Sequence, residues 1–209
     1  MKVKLILCDF DGTITQTDVL DKLCSVAGRE QESREINEGF QQGLVNGKQA
    51  LIQRFSLLEG ISMEQLMPVL QEVPLTKGAR ELFRYAEEHG IDVLVLSGNA
   101  RFVLEYFSEM LHFTAVVGSR VRVEDGVIQP WDDQTCSCVD KLSEAKAYID
   151  RIGVKKEQII AIGDSIADEG IFSLAGMSFL VNRKGNIRAD IEIADLAEVI
   201  PYLSRESSL

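Results

Sequence analysis

The chain has 209 residues, of which 45% are hydrophobic and 26% charged, and its formal net charge is −11. That size and balance suit one good-sized globular core with room for a small accessory unit, and the negative sign argues against binding to nucleic acid or to an anionic membrane. No apolar run approaches the roughly 20 residues of a membrane span, the short run after the N-terminal Met-Lys-Val-Lys ends in acids, and four cysteines provide no disulfide framework, so a soluble, cytoplasmic protein is expected.

The first element is the apolar run Leu5-Ile6-Leu7-Cys8, which enters Asp9-Phe10-Asp11-Gly12-Thr13. A short apolar run bounded by a turn signal reads as a buried strand. Strand periodicity puts Asp9 and Asp11 on one face, where each disfavours ionisation of the other. A bound cation, or a task that wants one carboxylate ionised and its neighbour protonated, relieves that cost. An ordinary strand end with an Asp-Gly turn is the plain alternative.

From about Asp18 to Val73 the spacing turns helical. Val19, Leu20, Leu23, Cys24 and Ala27 precede Gly28; Ile36, Phe40 and Leu44 precede Gly47; Leu51, Ile52, Phe55 and Leu58 precede Gly60. Glycines in these places suit helix ends. Ser62 with Gln65 three residues on forms a capping box that opens a fourth helix through Leu70.

Strands and helices alternate after Thr76. Ala79, Leu82, Phe83 and Ala86 mark a helix closed by Gly90; Ile91–Leu96 is a strand ending in Ser97-Gly98-Asn99; Phe102 to Met110 carries a helix and Thr114–Val117 a short strand. Val121–Val123 and Val127-Ile128 read as a hairpin joined through Glu124-Asp125-Gly126, and residues 130–140 as irregular. A helix from Leu142 to Ile152 ends at Gly153, a strand at Gln158–Ile162 runs into Gly163-Asp164-Ser165, and a helix near Asp168–Leu174, a strand at Phe179–Val181 and a helix near Leu196–Leu203 follow. This order predicts an α/β fold with a mostly parallel sheet covered by helices on both faces. The helical insert after the first strand is placed as a cap over one end of the sheet. Residues 1–15 and 76–209 form the core in this reading, and 16–75 the cap.

Ligands of open α/β sheets bind beyond the carboxyl ends of the strands. Three strands here end in polar signatures, bringing together Asp9, Asp11, Asp164, Asp168, Ser97 and several loop amides. Carboxylate oxygens suit a hard cation such as Mg²⁺, while Ser97 and the Gly98 amide suit phosphate oxygens. Lys141, at a helix start, supplies a balancing charge, although Lys146 is a nearby rival.

Asp-x-Asp-Gly-Thr, Ser-Gly, a lone lysine and Gly-Asp-x-x-x-Asp, in this order, resemble the haloacid dehalogenase superfamily. The helical insert resembles the type-1 cap of its phosphoserine phosphatase branch, and the likeness spans nearly the whole chain. The resemblance implies a Rossmann-like core and a Mg²⁺-dependent phosphomonoesterase acting on a small phosphorylated metabolite. It implies Asp9 as the nucleophile that becomes an aspartyl-phosphate, and Asp11 as proton donor and then base. Mg²⁺ is then held by Asp9, the Asp11 carbonyl and Asp164, with Asp168 an outer or additional ligand. Ser97, Gly98 and Lys141 hold the phosphoryl oxygens. In the same way Asp18 matches the acid that meets the substrate ammonium, and Arg54 the cap arginine that meets its carboxylate; a surface arginine lying beside Phe55 is the plain reading of Arg54.

Some residues depart from that branch. Asp18 is shorter than the usual Glu, Asn99 replaces a glycine, and Ala167 an asparagine. Cys136-Ser137-Cys138 resembles instead the approach to the lysine in methionine-salvage enol-phosphate phosphatases and in phosphocholine/phosphoethanolamine phosphatases. A phosphotransferase using the same motifs, and a non-catalytic receiver-like protein, are the alternatives from other classes. The second carboxylate and the large cap argue against the receiver. Oligomeric state has no signature in the sequence.

Overall fold

In a computed structural model, residues 2–204 are described; the outermost residues of the expected core, 1 and 205–209, lie outside them. Strand β1 (Leu5–Cys8) is completely buried. It leads into four helices: α1 (Val19–Ser25), α2 (Glu30–Gln41), α3 (Gly47–Ser56) and α4 (Met63–Gln71). Then come α5 (Ala79–Glu88), β2 (Asp92–Ala100), α6 (Arg101–Leu111), β3 (Ala115–Ser119) and a small hairpin of β4 (Val123–Glu124) and β5 (Val127–Ile128). The chain continues with α7 (Lys141–Ile152), β6 (Ile159–Gly163), α8 (Glu169–Leu174), β7 (Met177–Val181), β8 (Ile191–Ile193) and α9 (Ile200–Leu203).

Six strands form one sheet in the order β3-β2-β1-β6-β7-β8, with every neighbouring pair parallel. β1 lies in the middle, Leu5 opposite both Asp92 and Ile159. Its side chains alternate between two apolar layers, as strand geometry requires. Ile6 and Cys8 pack with Leu82 and Phe83 of α5 and Leu104 and Phe107 of α6. Leu5 and Leu7 face Ala145 and Tyr148 of α7 and Ile171 of α8. The sheet is thus covered on both faces, as the near-continuous apolar strands predict.

The helical insert joins the first layer: Leu20, Leu23, Phe55, Leu66 and Leu70 belong to the same apolar cluster as Phe10 and Phe107. Its entry and exit run side by side, with Thr76 N donating to Ile14 O at 2.8 Å and Gln16 N to Pro74 O at 3.0 Å. The hairpin supports it from the far side, because Gly60 N donates to Ile128 O, Met63 N to Gly126 O, and Ile128 N to Ile61 O.

Several local expectations are corrected. The second helix of the insert starts at Glu30 and ends before Gly43, whose φ of +74° breaks it, so Leu44 stands outside any helix and is 74% exposed. Gly47 begins α3 rather than ending a helix, because Asn46 caps it by accepting from Gln49 N at 2.9 Å. The hairpin turn is the two-residue Asp125-Gly126, both at positive φ as a type I′ turn needs, which shifts its first strand to Val123–Glu124. β2 runs on through Ser97-Gly98-Asn99 to Ala100. β8, three residues among polar neighbours, has no apolar run to announce it. The Ser62–Gln65 capping box forms as expected. Among the described residues no helix is long and apolar enough to cross a membrane.

Candidate active site

Four adjacent strands, β2, β1, β6 and β7, deliver their carboxyl ends to one place. β2 brings Ser97 and Asn99, β1 leads to Asp9 and Asp11, β6 to Asp164 and Asp168, and β7 to Asn182 and Lys184. They open onto a cavity of about 450 Å³ whose other wall is the helical insert, with Asp18, Asn37, Phe40, Leu51 and Arg54.

Asp9 is 4% exposed and both of its oxygens are engaged. Thr13 Oγ1 donates to Oδ2 at 2.9 Å, and Lys141 Nζ to Oδ1 at 2.5 Å. Lys141 is the first residue of α7, where the helix dipole disfavours a cation. Two carboxylates compensate, since its Nζ also donates to Asp168 Oδ1 at 2.9 Å. Burial pushes the Lys141 ammonium pKa down, but the charges of Asp168 and Asp9 outweigh it and the net shift is upward. Burial, reinforced by Asp168, raises the Asp9 pKa against the opposing pull of Lys141. Asp168, fully buried, spends its second oxygen on the amides of Asp164 and Ser165 at 3.0 and 3.2 Å. It thereby fixes the loop after β6 and holds Lys141 against Asp9. The Lys146 rival is not drawn in.

Asp11 has three donors: Val19 N at 2.8 Å, Ser97 Oγ at 2.8 Å and Asn99 Nδ2 at 3.0 Å. Even so, burial, with Asp18 and Asp9 nearby, pushes its pKa up to about 7. A carboxyl poised there gives and takes a proton at neutral pH. Ser97 Oγ is turned to Asp11 in this structure, while Gly98 leaves the space above the loop to Leu51, whose methyl carbons would lie 3.1 Å from a Cβ at that position.

Carboxylate oxygens of Asp9, Asp164 and Asp168 lie within 4.8 Å of one another. Asp164 is 2% exposed, its Oδ2 accepts no aligned hydrogen bond, and burial together with Asp9 pushes its pKa up to about 7. An all-oxygen donor set, one of whose oxygens, Asp164 Oδ2, meets only the half-exposed ammonium of Lys184, fits Mg²⁺, which takes one or two carboxylates and completes its shell with waters and phosphate. Asp9 and Asp164 suit direct contact. Asp168, with its oxygens committed to Lys141 and two amides, suits support.

Asp18 and Arg54 both reach the cavity, but they meet each other. Arg54 Nη2 donates to Asp18 Oδ1 at 2.6 Å and to Asp21 Oδ1 at 2.8 Å, and Arg54 Nε to Ser33 Oγ at 2.9 Å. Asp18 also caps α1, accepting from Asp21 N, and its other oxygen accepts from Asn37 Nδ2 at 3.2 Å. The plain reading of Arg54 as a surface side chain fails, for it is 4% exposed and ties α1, α2 and α3 together. Cys136 is buried, and Cys138 Sγ lies 3.9 Å from Lys48 O; the cysteines of this loop are free thiols packed against α3 and the core.

Four of these residues are not expected from the sequence: Lys184, Asn99, Asp21 and Ser33. Lys184, whose Nζ lies 2.6 Å from Asp164 Oδ2, follows a strand whose polar ending, Asn182-Arg183-Lys184, is the same kind of signal that marked the other three. Asn99 was noted only as a departure, yet it orients Asp11. Asp21 and Ser33, partners of Arg54, have no local signature at all.

The family model described as haloacid dehalogenase-like hydrolase matches residues 6–171, and the chain belongs to that family. It is 29% identical over 207 residues to a phosphoserine phosphatase of Methanocaldococcus jannaschii, covering 97% of this chain and 98% of the relative. A phosphoserine phosphatase of Archaeoglobus fulgidus is 28% identical across 87% of this chain and 53% of its own length. A solved phosphoserine phosphatase described as a phospho-aspartyl intermediate analogue superposes with a TM-score of 0.86 at 27% identity, covering 98% of this chain and 100% of the other. A substrate-bound phosphoserine phosphatase complex gives 0.86 at 28% identity with the same coverage. This full-length likeness, in sequence and in fold, places the enzyme among the phosphatases of the family.

Proposed function

We propose that this enzyme is a Mg²⁺-dependent phosphomonoesterase, phosphoserine phosphatase-like, that hydrolyses a small phosphorylated metabolite through a phosphorylated Asp9. The observation that carries the reading is the pairing of two unlike carboxyls at the end of β1. Asp9 is held by Lys141 and Thr13, while Asp11, held by Val19 N, Ser97 and Asn99, is poised near neutrality.

In this mechanism an Asp9 oxygen attacks phosphorus while Asp11 donates its proton to the departing alkoxide, leaving the alcohol and an aspartyl-phosphate. Asp11, now ionised, takes a proton from water, whose oxygen attacks the same phosphorus and frees inorganic phosphate and Asp9. Ser97 Oγ, the Gly98 amide and Lys141 Nζ bind the phosphoryl oxygens, and Lys141 also orients the nucleophile. Asp9, Asp164 and the Asp11 carbonyl would hold Mg²⁺, with Asp168 behind them; the ion supplies charge neutralisation between nucleophile and phosphoryl group. Residues 16–75 act as the cap, with Asp18 and Arg54 lining the side of the cavity where the alcohol portion sits.

A phosphate-release assay in Mg²⁺ buffer over phosphoserine, phosphoethanolamine, phosphocholine and sugar phosphates tests the reading. Turnover is expected with at least one of them, phosphoserine being the first candidate given the named relatives. Silence across the whole panel would overturn it.

A further inference from the structure

Two lysines serve the acidic cluster, and they are built differently. Lys141 is locked between Asp9 and Asp168, with only 15% of its side chain exposed. Lys184 belongs to the short loop after β7, and 45% of its side chain is exposed. Its ammonium lies 2.6 Å from Asp164 Oδ2, the carboxylate oxygen that has no aligned hydrogen-bond donor. The loop itself is anchored: Lys184 N donates to Asp164 O at 2.7 Å, and Asn182 Nδ2 to Gly12 O at 2.9 Å. Gly12 has φ +87°, and a Cβ there would collide with both Asp164 Oδ2 and Lys184 Nζ. The glycine after the second motif aspartate therefore keeps open the space in which that ammonium reaches the cluster. Asp9, Asp18 and Asp164 are the charges that face it. The backbone of the loop is fixed while the end of the side chain borders the cavity and solvent.

The geometry points to Lys184 as an exchangeable cation, held against Asp164 when no metal is bound and displaced towards the cavity when Mg²⁺ takes that oxygen. The inference rests on the Mg²⁺ site proposed above and adds a residue that sets its affinity. An ammonium and a divalent ion cannot both sit against one carboxylate oxygen in this confined space, because they repel each other at short range. Binding the metal therefore carries the cost of breaking the Lys184–Asp164 pair. In return, the pair screens Asp164 from Asp9 in the metal-free enzyme, where like charges would otherwise push the loops after β1 and β6 apart.

Magnesium titration by isothermal calorimetry, without substrate, on wild type, Lys184→Met and Lys184→Arg tests this, together with melting temperatures of the metal-free proteins. Lys184→Met should bind Mg²⁺ about fivefold more tightly, the equivalent of losing a competing half-exposed ion pair. Its metal-free form should melt lower than wild type, and Mg²⁺ should raise its melting temperature by more. Lys184→Arg, which keeps the charge, should stay within about twofold of wild type. Unchanged or weaker Mg²⁺ binding by Lys184→Met, with wild type binding normally, overturns the exchange and leaves the metal site standing. Failure of all three proteins to bind Mg²⁺ at millimolar concentration would bring down the metal site and this role together.

Discussion

Replacing Arg54 by Ala removes the cation that two carboxylates share inside the helical insert. Asp18 and Asp21 each accept from Arg54 Nη2, and Ser33 links Arg54 to Asp21, donating to Asp21 Oδ1 at 2.6 Å while accepting from Arg54 Nε. The side chains of Asp18 and Asp21 are only 16% and 10% exposed, so their charges are left with little water. Breaking such a pair by deleting one partner costs about 3 kcal/mol, chiefly through the unpaired charge left behind. For a domain of this size that lowers the melting temperature by roughly 6–12 °C. Part of the loss should return in Arg54→Ala/Asp21→Asn, which removes one of the two stranded charges. The deficit should also be smaller at pH 5 than at pH 8. Burial already raises the Asp21 carboxyl pKa and Arg54 opposes it, so losing Arg54 raises it further, and stability gained from a raised pKa is lost as pH rises through it. Thermal melts of the three proteins at both pH values measure this, and phosphate release from phosphoserine and from an aryl phosphate completes the experiment. A melting temperature within 2–3 °C of wild type, about 1 kcal/mol at this size, or no recovery in the double variant, would refute the view of Arg54 as the tie of the insert. If Arg54 also meets a substrate carboxylate, phosphoserine turnover should fall well below the aryl phosphate control.

Asp9→Asn should abolish phosphate release while leaving the melting temperature at or above wild type, since burial and repulsion from Asp168 outweigh the pull of Lys141 on the Asp9 charge; turnover like wild type refutes the nucleophile. Asp11→Asn keeps the hydrogen-bond acceptor but not the proton, and should lower kcat by about 10²–10⁴-fold, with the fold intact by circular dichroism. EDTA should remove activity and Mg²⁺ restore it. The rise in melting temperature caused by Mg²⁺ should grow between pH 5 and pH 8, because Asp164, pushed up to about 7, and Asp9, also raised, shed protons that compete with the metal as pH increases. A rise independent of pH would show that the ion does not bind these carboxylates.

The candidate site was legible because each of its parts is written locally. An apolar strand that runs straight into Asp-Phe-Asp-Gly-Thr has one physical outcome, and the same holds for Ile159–Gly163 running into Asp164. Once parallel strands are inferred, their carboxyl ends must converge, and Asp9, Asp11, Ser97, Asp164 and Asp168 follow. What the sequence hid is pairing between distant elements. Nothing near Arg54 in the chain shows that Asp21 and Ser33, 33 and 21 residues away, also take its donors. Lys184 escapes notice because Lys141, at a helix start, already answers the need for a balancing cation, and nothing local shows that the loop after β7 turns Lys184 onto Asp164. The second helix was misplaced because Ile36, Phe40 and Leu44 keep helical spacing across Gly43, and a positive-φ glycine stops a helix whatever the spacing beyond it.

One short segment joins the first motif to the helical insert. Asp11 accepts from the amide of Val19, the first residue of α1, so the positive end of that helix faces this carboxyl. The residue before it, Asp18, caps the same helix, binds Arg54 and is a leading charge in raising the Asp11 pKa. Helix α1 and Asp18 therefore act on Asp11 in opposite senses, the amide favouring its ionised form and the neighbouring carboxylate its protonated form. A shift of α1 that lengthens the Val19–Asp11 bond weakens only the first influence if Asp18 stays with Arg54. The proton affinity of Asp11 thus depends on how the insert is seated.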